Sequence, residues 1–221
     1  ISLGILMLVV AVVLFFLYRK APEIDRALST PTVEALPEAT NARTLTISGE
    51  AQDGERVMLF VNDQVVEDNL RVEDGEFSYE YEIEDEGEYR VQAALVEGFP
   101  IRLRSEKSDV AQVLADWTAP SSDVQLVYER EVHARAFSIT GVIEPGATVV
   151  LLEGDKKYVA QAGEEGAFEI RDIPLVEGEN SFEVELRDSA GNVTRLDQDV
   201  LVASNGDLNG NGASDLPEAS G

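Results

Sequence analysis

The sequence predicts a mainly β protein in which an N-terminal transmembrane-type α-helix is followed by two antiparallel β-sandwiches. Three observations support this fold class. The chain opens with a long apolar run, it contains two copies of one β-rich unit, and strands within each copy alternate apolar and polar residues. A length of 221 residues suits two small domains with appendages.

The apolar run covers residues 1–18 and reads ISLGILMLVVAVVLFFLY. It contains no charged residue, and as a helix it would span about 27 Å, close to the bilayer hydrocarbon core of ~30 Å. Arg19 and Lys20 follow with charges that suit a membrane interface. We therefore predict a hydrophobic anchor or assembly helix over residues 1–28, whose partners are the membrane or other hydrophobic helices.

This hydrophobic start resembles mature type IV pilin-like subunits, which keep such a helix after a short charged leader is removed. Ile5 departs from that pattern, because bacterial pilins usually carry Glu at this position. Minor-pilin, archaeal-type and plain signal-anchor interpretations therefore stay open. Residues 29–40 follow the helix and contain Pro31 and Pro37 among Ala, Thr and Glu, which predicts an extended linker.

Two segments repeat each other at an offset of 91–92 residues. The first copy reads LTISGEAQDGERVML from Leu45, and the second reads FSITGVIEPGATVVL from Phe137. The landmarks that match in the same order are Gly49 and Gly141, Gly54 and Gly146, Gly75 and Gly166, Phe77 and Phe168, and Gly87 and Gly178. Two domains of one fold are therefore expected.

Each copy has the residue pattern of short antiparallel strands. Residues 77–84 and 182–187 alternate an apolar side chain with a polar one, which predicts strands with one buried face. Turn signals such as Asp74-Gly75 and Glu177-Gly178 separate the strands. Short strands at this spacing predict antiparallel sandwiches.

These units resemble bacterial immunoglobulin-like domains of the Big type. The matching features are the S/T-G-x-x-x-x-G opening, the G-x-F strand start, the x-E-G turn, the D-S-A-G-N turn at 188–192 and the D-W-T-A-P segment at 116–120. The resemblance implies immunoglobulin-like domains at 41–110 and 116–203, with residues 204–221 as a tail. It leaves function open, because such modules serve as spacers, adhesins and binding domains.

The charge and composition exclude several classes of function. The formal net charge is −26, and each repeat contributes −11, which argues against nucleic acid as a partner. The absence of cysteine excludes disulfides, thiolate metal sites and a cysteine nucleophile. His133 is the single histidine, so a His-rich metal site is impossible.

One strand in each copy breaks the alternation of apolar and polar residues. Residues 57–61 and 149–152 are apolar on both faces, although a sandwich strand with one wet face should not be. Either another part of the same domain covers the outer face, or the face makes a protein contact. We favour cover within the domain.

The tail carries the spacing of a calcium loop, D-x-[DN]-x-[DN]-G-x5-E. It resembles EF-hand, dockerin and thrombospondin type 3 loops, and calcium is the cofactor that the resemblance implies. The expected ligands are the side chains of Asp207, Asn209, Asn211, Asp215 and Glu218, with the backbone carbonyl of Ala213. With only three carboxylates, the affinity should be weak, with a Kd on the order of 10⁻⁴–10⁻³ M.

The sequence contains no nucleophile elbow, phosphate-cradling loop or H-E-x-x-H motif, so we predict that the protein is not an enzyme. We expect a non-catalytic, membrane-anchored structural protein of the cell surface, either a self-assembling filament (pilin-like) subunit or a membrane-tethered stalk. One alternative is an adhesion module that binds a glycan or a protein through loops of 116–203. Another is an accessory subunit of a membrane complex.

Overall fold

The computed structural model describes residues 3–19, 22–52, 56–98 and 102–205. In chain order their elements are α1 (Leu3–Arg19), β1 (Glu23–Ile24), β2 (Thr32–Val33), β3 (Ala39–Thr40), β4 (Thr44–Glu50), β5 (Arg56–Val61), β6 (Gln64–Arg71), β7 (Glu76–Glu82), β8 (Gly87–Glu97), β9 (Leu103–Arg104), β10 (Ala111–Ala115), β11 (Gln125–Val127), β12 (Glu131–Val132), β13 (Ala136–Val142), β14 (Thr148–Glu153), β15 (Lys156–Gln161), β16 (Ala167–Pro174), β17 (Gly178–Arg187), β18 (Val193–Arg195) and β19 (Val200–Ser204).

α1 exposes apolar side chains around its whole circumference. Ile5 is 57% exposed, and Met7 and Phe16 are each 68% exposed. The large apolar side chains between them that are also exposed are Leu8, Val9, Val10, Val12, Val13 and Phe15. Within the described ranges, no helix is both long enough and apolar enough to cross a membrane.

The helix ends at Arg19 instead of continuing to residue 28 as the sequence predicted. Pro22 has no backbone N–H to donate to a continuing helix. Beyond it, Glu23 and Ile24 form β1, which pairs in parallel with β9. The chain is therefore part of a sheet within a few residues of the helix end.

The segment 29–40 is not the linker that its prolines predicted. β2 pairs antiparallel with β4, and β3 pairs in parallel with β10, so this segment contributes a strand to each sheet of the first domain. Pro31 and Pro37 lie just outside the paired residues, where their missing N–H groups break no ladder. Composition alone does not distinguish an extended linker from short paired strands.

The folded chain divides into two units between Ala115 and Asp116. In the first unit, one sheet has the order β2-β4-β7. The other sheet begins with the order β6-β5-β8. On the far side of β8 it continues as two short branches, β10-β3 and β9-β1. This order is that of an immunoglobulin-like sandwich, with β10 as the last strand at 111–115, beyond the predicted boundary at residue 110.

The second unit repeats this topology strand by strand. One sheet has the order β11-β13-β16, and the other runs β15-β14-β17-β19-β12, with β18 also paired to β17. β12 runs parallel to β19, just as β3 runs parallel to β10. The prediction of two immunoglobulin-like β-sandwiches is confirmed.

Alternating residues of facing strands form the core of each sandwich, as the period-two pattern predicted. Among the largest fully buried side chains are Ile47, Val57, Leu59, Val91, Leu95 and Val113 in the first domain, and Ile139, Leu151, Ile173, Phe182 and Leu186 in the second. The rings of Phe137 and Phe182 pack with their centroids 5.2 Å apart. Each domain thus stands on apolar packing without a disulfide.

A polar corner marks the start of the long strand in each domain. In the first, the Tyr89 hydroxyl donates to the carbonyl of Asp85 at 2.9 Å, four residues upstream, which is the geometry of a tyrosine corner. Asn180 occupies the matching position in the second domain. Its amide accepts from the backbone N–H of Val176 and donates to the carbonyl of Val176, at 2.9 and 3.0 Å. Different side chains therefore close the same corner.

The repeated glycine and phenylalanine landmarks pack on each other. Gly49 lies opposite Phe77 in the β4–β7 ladder, and Gly141 lies opposite Phe168 in the β13–β16 ladder. A Cβ on Gly141 would approach the Phe168 ring to 2.7 Å and the carbonyl oxygen of Gln125 to 2.8 Å. Only glycine therefore lets the ring and the neighbouring strand come this close.

Replacing Gly141 by Ala should destabilise the second domain by about 1–3 kcal/mol, because the new methyl group must displace a buried ring or a backbone carbonyl. Gly163→Ala is the matched control, since its Cβ would lie 3.9 Å from the nearest atom. Thermal unfolding of both variants checks this expectation. Equal stability of the two variants would contradict it.

Candidate functional site

His133 is exposed in the turn after β12. In the described part of the chain, no group of three or more His, Cys, Asp or Glu side chains is placed to hold a metal ion. The predicted calcium ligands Asp207, Asn209, Asn211, Ala213, Asp215 and Glu218 lie outside the described residues.

The outer face of β5 is covered within its own domain. Val57 and Leu59 lie on the core side, while Met58 and Phe60 lie on the outer face and are only 4% and 6% exposed. These two cluster with Ala94 of β8 and its neighbour Val96. The expectation of cover within the domain is therefore confirmed for this strand.

Two cations lie over the aromatic ring of this cluster. The Lys107 ammonium is 4.2 Å from the Phe60 ring centroid, and the Arg104 guanidinium is 5.9 Å from it. Lys107 also bonds the Asp63 carboxylate at 2.7 Å, and this hydrogen bond holds the pKa of Asp63 below its usual range. The cationic side chains thus cover an apolar face while their charges stay near water.

Two buried serines attach the loop that carries Lys107. The hydroxyls of Ser105 and Ser108 accept hydrogen bonds from the backbone N–H groups of Leu95 and Ala93, both at 3.0 Å. Their own N–H groups donate to the carbonyls of the same two residues. The loop between β9 and β10 is therefore bonded to β8 although it is not a strand.

An ion cluster lies on the corresponding face of the second domain. Glu185 is only 7% exposed and accepts hydrogen bonds from Arg187 at 2.5 Å and Arg195 at 3.4 Å. The Arg187 bond, with a smaller contribution from Arg195, lowers the pKa of Glu185 although burial opposes this. Val150, next to Glu185 in the ladder, is 9% exposed, whereas Val159 on its other side is 58% exposed, so this face is covered only in part.

The D-S-A-G-N turn and the D-W-T-A-P segment meet in the structure. The side-chain amide of Asn192 donates to the carbonyls of Asp116 at 2.8 Å and Thr118 at 3.3 Å. The Thr194 hydroxyl donates to the carbonyl of Pro120 at 2.6 Å. These motifs are therefore a structural clasp that attaches the start of the second domain to its β17–β18 turn.

The second domain has a cleft where its first strand changes sheets. β11 pairs with β13 in one sheet, and β12 pairs with β19 in the other. The last strand is interrupted at the same flank, between β18 and β19. A cleft of about 370 Å³ lies between the crossing and the interruption.

This cleft, which we call the flank cleft, has an apolar floor and a polar rim. The floor consists of half-buried side chains that pack on the core, namely Val124, Leu126, Tyr128 and Leu196. The rim consists of exposed polar side chains, namely Ser122, Arg130, Asp197, Gln198 and Asp199. An apolar surface with a few polar groups around it is the usual make-up of a small-ligand site.

The first domain has a cleft at the matching flank with a different lining. It has a volume of about 650 Å³ and lies between Thr32 and Val33 of β2 and the loop after β9. Arg26 and Glu106, which both line it, form an ion pair of 2.9 Å. The two domains therefore share the cleft as a consequence of topology, and only the second gives it an aromatic and aliphatic floor.

A larger hollow of about 680 Å³ lies on the outward face of the β11-β13-β16 sheet. Val127 and Val142 are 66% and 60% exposed there. Scattered exposed valines on a sheet face are ordinary surface features. The flank cleft, with its polar rim, is the better candidate for a binding site.

The sequence did not reveal the flank cleft. The alternation of Val124, Leu126 and Tyr128 indicated one buried face, but the same pattern marks many core strands of this chain. Residues 196–199 lie far away in sequence, and only the strand pairing brings them to this flank. The adhesion alternative named the loops of 116–203, which include part of the rim.

No protein-family model matches this sequence, and no curated protein matches it. Similar solved structures include fibronectin(III)-like modules of Clostridium thermocellum CbhA, with 18% identity, a TM-score of 0.49, and 79% of this chain and 95% of that one covered. A 1.5-MDa bacterial ice-binding adhesin has 14% identity and a TM-score of 0.36 over 84% of this chain and 66% of that one.

A putative membrane-anchored protein of Corynebacterium diphtheriae has 11% identity and a TM-score of 0.35 over 80% of this chain and 59% of that one. Because these identities and TM-scores are low, the fold class of the protein is assigned from its own strand order. It consists of tandem immunoglobulin-like β-sandwiches.

The buried Glu185 should make stability depend on acid pH. Its pKa is lowered in the folded state, so its contribution to stability is present above the ordinary glutamate pKa and is lost as pH falls through the lowered one. Unfolding temperatures measured from neutral pH to about pH 3 should fall less steeply for Glu185→Gln than for wild type. Glu165→Gln, at an exposed position, is the control, and parallel curves for all three proteins would contradict the expectation.

Proposed function

We propose that this chain is a non-catalytic structural protein of the cell surface, which acts as a spacer. The observation that carries the proposal is that an N-terminal strand pairs in parallel with the last strand in each domain. β3 runs parallel to β10, and β12 runs parallel to β19. A chain that enters on one strand and leaves on a parallel neighbour enters and leaves a domain at opposite ends, as a spacer requires.

The junction between the domains supports this role. Ala115 is the last residue of β10, and Asp116 already belongs to the second unit. The Asn192 and Thr194 bonds hold Asp116 to Pro120 against the second domain. The last strand of the first unit is therefore followed directly in sequence by a segment bonded to the second unit.

α1 supports attachment at the N-terminal end. Its described side chains, from Ile5 to Leu17, are apolar and mostly exposed, and exposed apolar surface of this extent marks an interaction site. We propose that the helix holds the protein at the cell surface by contact with lipid or with the same helix of other copies. Lipid contact gives a tethered stalk, and helix contact gives a filament subunit.

The tail supplies a proposed calcium site. Asp207, Asp215 and Glu218 carry the negative charges, and Asn209, Asn211 and the Ala213 carbonyl complete the loop pattern. Calcium bound there would hold the oxygens of this loop around one ion. Magnesium should compete poorly, because its small octahedral shell suits this set of ligands badly.

A chain that begins at Pro22 should fold and lose its attachment, because α1 contributes no strand to the first domain. A chain that begins at residue 29 should be less stable, because it also loses β1 and the Arg26–Glu106 ion pair. Flotation with lipid vesicles measures attachment, and circular dichroism measures folding. If the chain from Pro22 failed to fold, or still bound vesicles as the full chain does, the proposed role of α1 would be wrong.

Electron microscopy of the full chain separates the two modes of attachment. Filaments that disappear when the chain begins at Pro22 would establish helix-mediated assembly. Single particles that float with vesicles would establish a tethered stalk. Protease added to intact cells should remove both domains, and their protection from protease would contradict a surface role.

Glu218→Gln should abolish most calcium binding, because it removes the carboxylate that closes the coordination sphere. Ser214→Ala is the matched control, since the residue at this position of the loop is not a ligand. Calorimetric titration with millimolar calcium, repeated at low ionic strength where binding should strengthen, measures the effect. No heat in the wild type, or equal heat in the two variants, would refute the site.

A further inference from the structure

We propose that the flank cleft of the second domain binds a neutral saccharide. This site goes beyond the spacer role and does not depend on it, because it rests on the floor and rim residues alone. The truncations of α1 test attachment and assembly, and the titration below tests saccharide binding, so the two proposals can fail separately.

The floor fits the apolar face of a sugar ring. Leu126 belongs to β11, Tyr128 directly follows that strand, and Leu196 lies in the interruption of the last strand. All three pack on the core and are only half buried, so one side of each is held while the other faces the cleft. The C–H groups of a sugar ring can pack on such a floor, and an aromatic ring adds contact area at small entropic cost.

The rim fits hydroxyl groups. Asp197 and Asp199 carry acceptor oxygens, and Gln198 between them carries both a donor and an acceptor. Asp199 is oriented by the Ser181 hydroxyl, which donates to its carboxylate at 2.7 Å. Among the described residues, none hydrogen-bonds the side chains of Asp197 and Gln198, so both are available to a ligand. Hydrogen bonds from sugar hydroxyls to carboxylates are stronger than those between neutral groups.

The charge of the rim selects a neutral ligand over an anionic one. The rim carries two carboxylates and one cation, Arg130, and the whole domain has a net charge of −11. A phosphate or an acidic sugar would be repelled. The apolar floor offers nothing to a bare metal ion. The volume of about 370 Å³ lies at the lower end of ligand pockets and suits one or two sugar units better than a long chain.

Nuclear magnetic resonance of the full ¹⁵N-labelled chain tests the proposal. The protein is kept in a polyoxyethylene detergent, because detergents with sugar head groups would compete. Cellobiose, maltose and lactose are the neutral probes, and glucuronic acid is the anionic comparison. At least one neutral disaccharide at millimolar concentration should shift backbone resonances of residues 122–130 and 196–200, and glucuronic acid should shift them less.

Paired variants decide whether the rim makes the contacts. Asp197→Asn combined with Asp199→Asn should weaken binding about tenfold, because it removes the charge from both acceptors. The substitution keeps the shape, and the amide oxygen that it introduces at position 199 can still accept the Ser181 hydrogen bond. Glu165→Gln removes an exposed charge elsewhere in the domain and should leave binding unchanged.

Three results would overturn the proposal. The first is the absence of shifts at the cleft with all three disaccharides. The second is an equal response to glucuronic acid. The third is unchanged affinity in the Asp197 and Asp199 double variant. Attachment through α1 and the behaviour of the truncated chains would be unaffected by any of them.

Discussion

The parallel pairing of an N-terminal strand with the last strand of each domain is the constraint on which the rest of this protein depends. Because β3 must reach β10, and β12 must reach β19, the chain has to leave one sheet and cross to the other in each domain. Because the paired strands are parallel, the chain enters and leaves each sandwich at opposite ends. The crossing also opens a flank beside the interrupted last strand, and this is where both clefts lie.

The two domains keep this framework and differ in what they attach to it. The packing of glycine on phenylalanine is the same in both, because a Cβ at either glycine would meet a ring and a carbonyl oxygen. The corner is closed by Tyr89 in one and Asn180 in the other. At this corner, side chains of different chemistry therefore make the same kind of contact with the backbone.

The two domains also differ in how the outer face of the larger sheet is covered. The first domain covers Met58 and Phe60 with Lys107, Arg104 and a loop bonded through Ser105 and Ser108. The second places the Glu185 ion cluster beside Val150. The cleft linings also differ, with the Arg26–Glu106 ion pair in the first domain and an aromatic and aliphatic floor in the second. The duplicated fold thus combines one framework with a differently lined cleft in each copy.

Most of the architecture was predictable from residue patterns. The period-two alternation, the glycine turns and the offset between the copies established two immunoglobulin-like sandwiches, because burial of one sheet face forces that alternation. The apolar pattern also identified α1, although its predicted end was wrong because β1 pairs with a strand about eighty residues away. The linker at 29–40 was misassigned for the same reason, since proline content reports local stiffness and not distant pairing.

The sequence by itself determined the fold class, the duplication, the absence of cysteine chemistry and the acidic surface, because each follows from composition or local periodicity. The tertiary structure alone decided the rest. It showed that two cations lie over the Phe60 ring, that Asn192 bonds the start of its own domain, and that residues 196–199 line one cleft with Tyr128. These relations depend on contacts between residues far apart in the chain, and their distances are set by strand pairing and not by any local pattern.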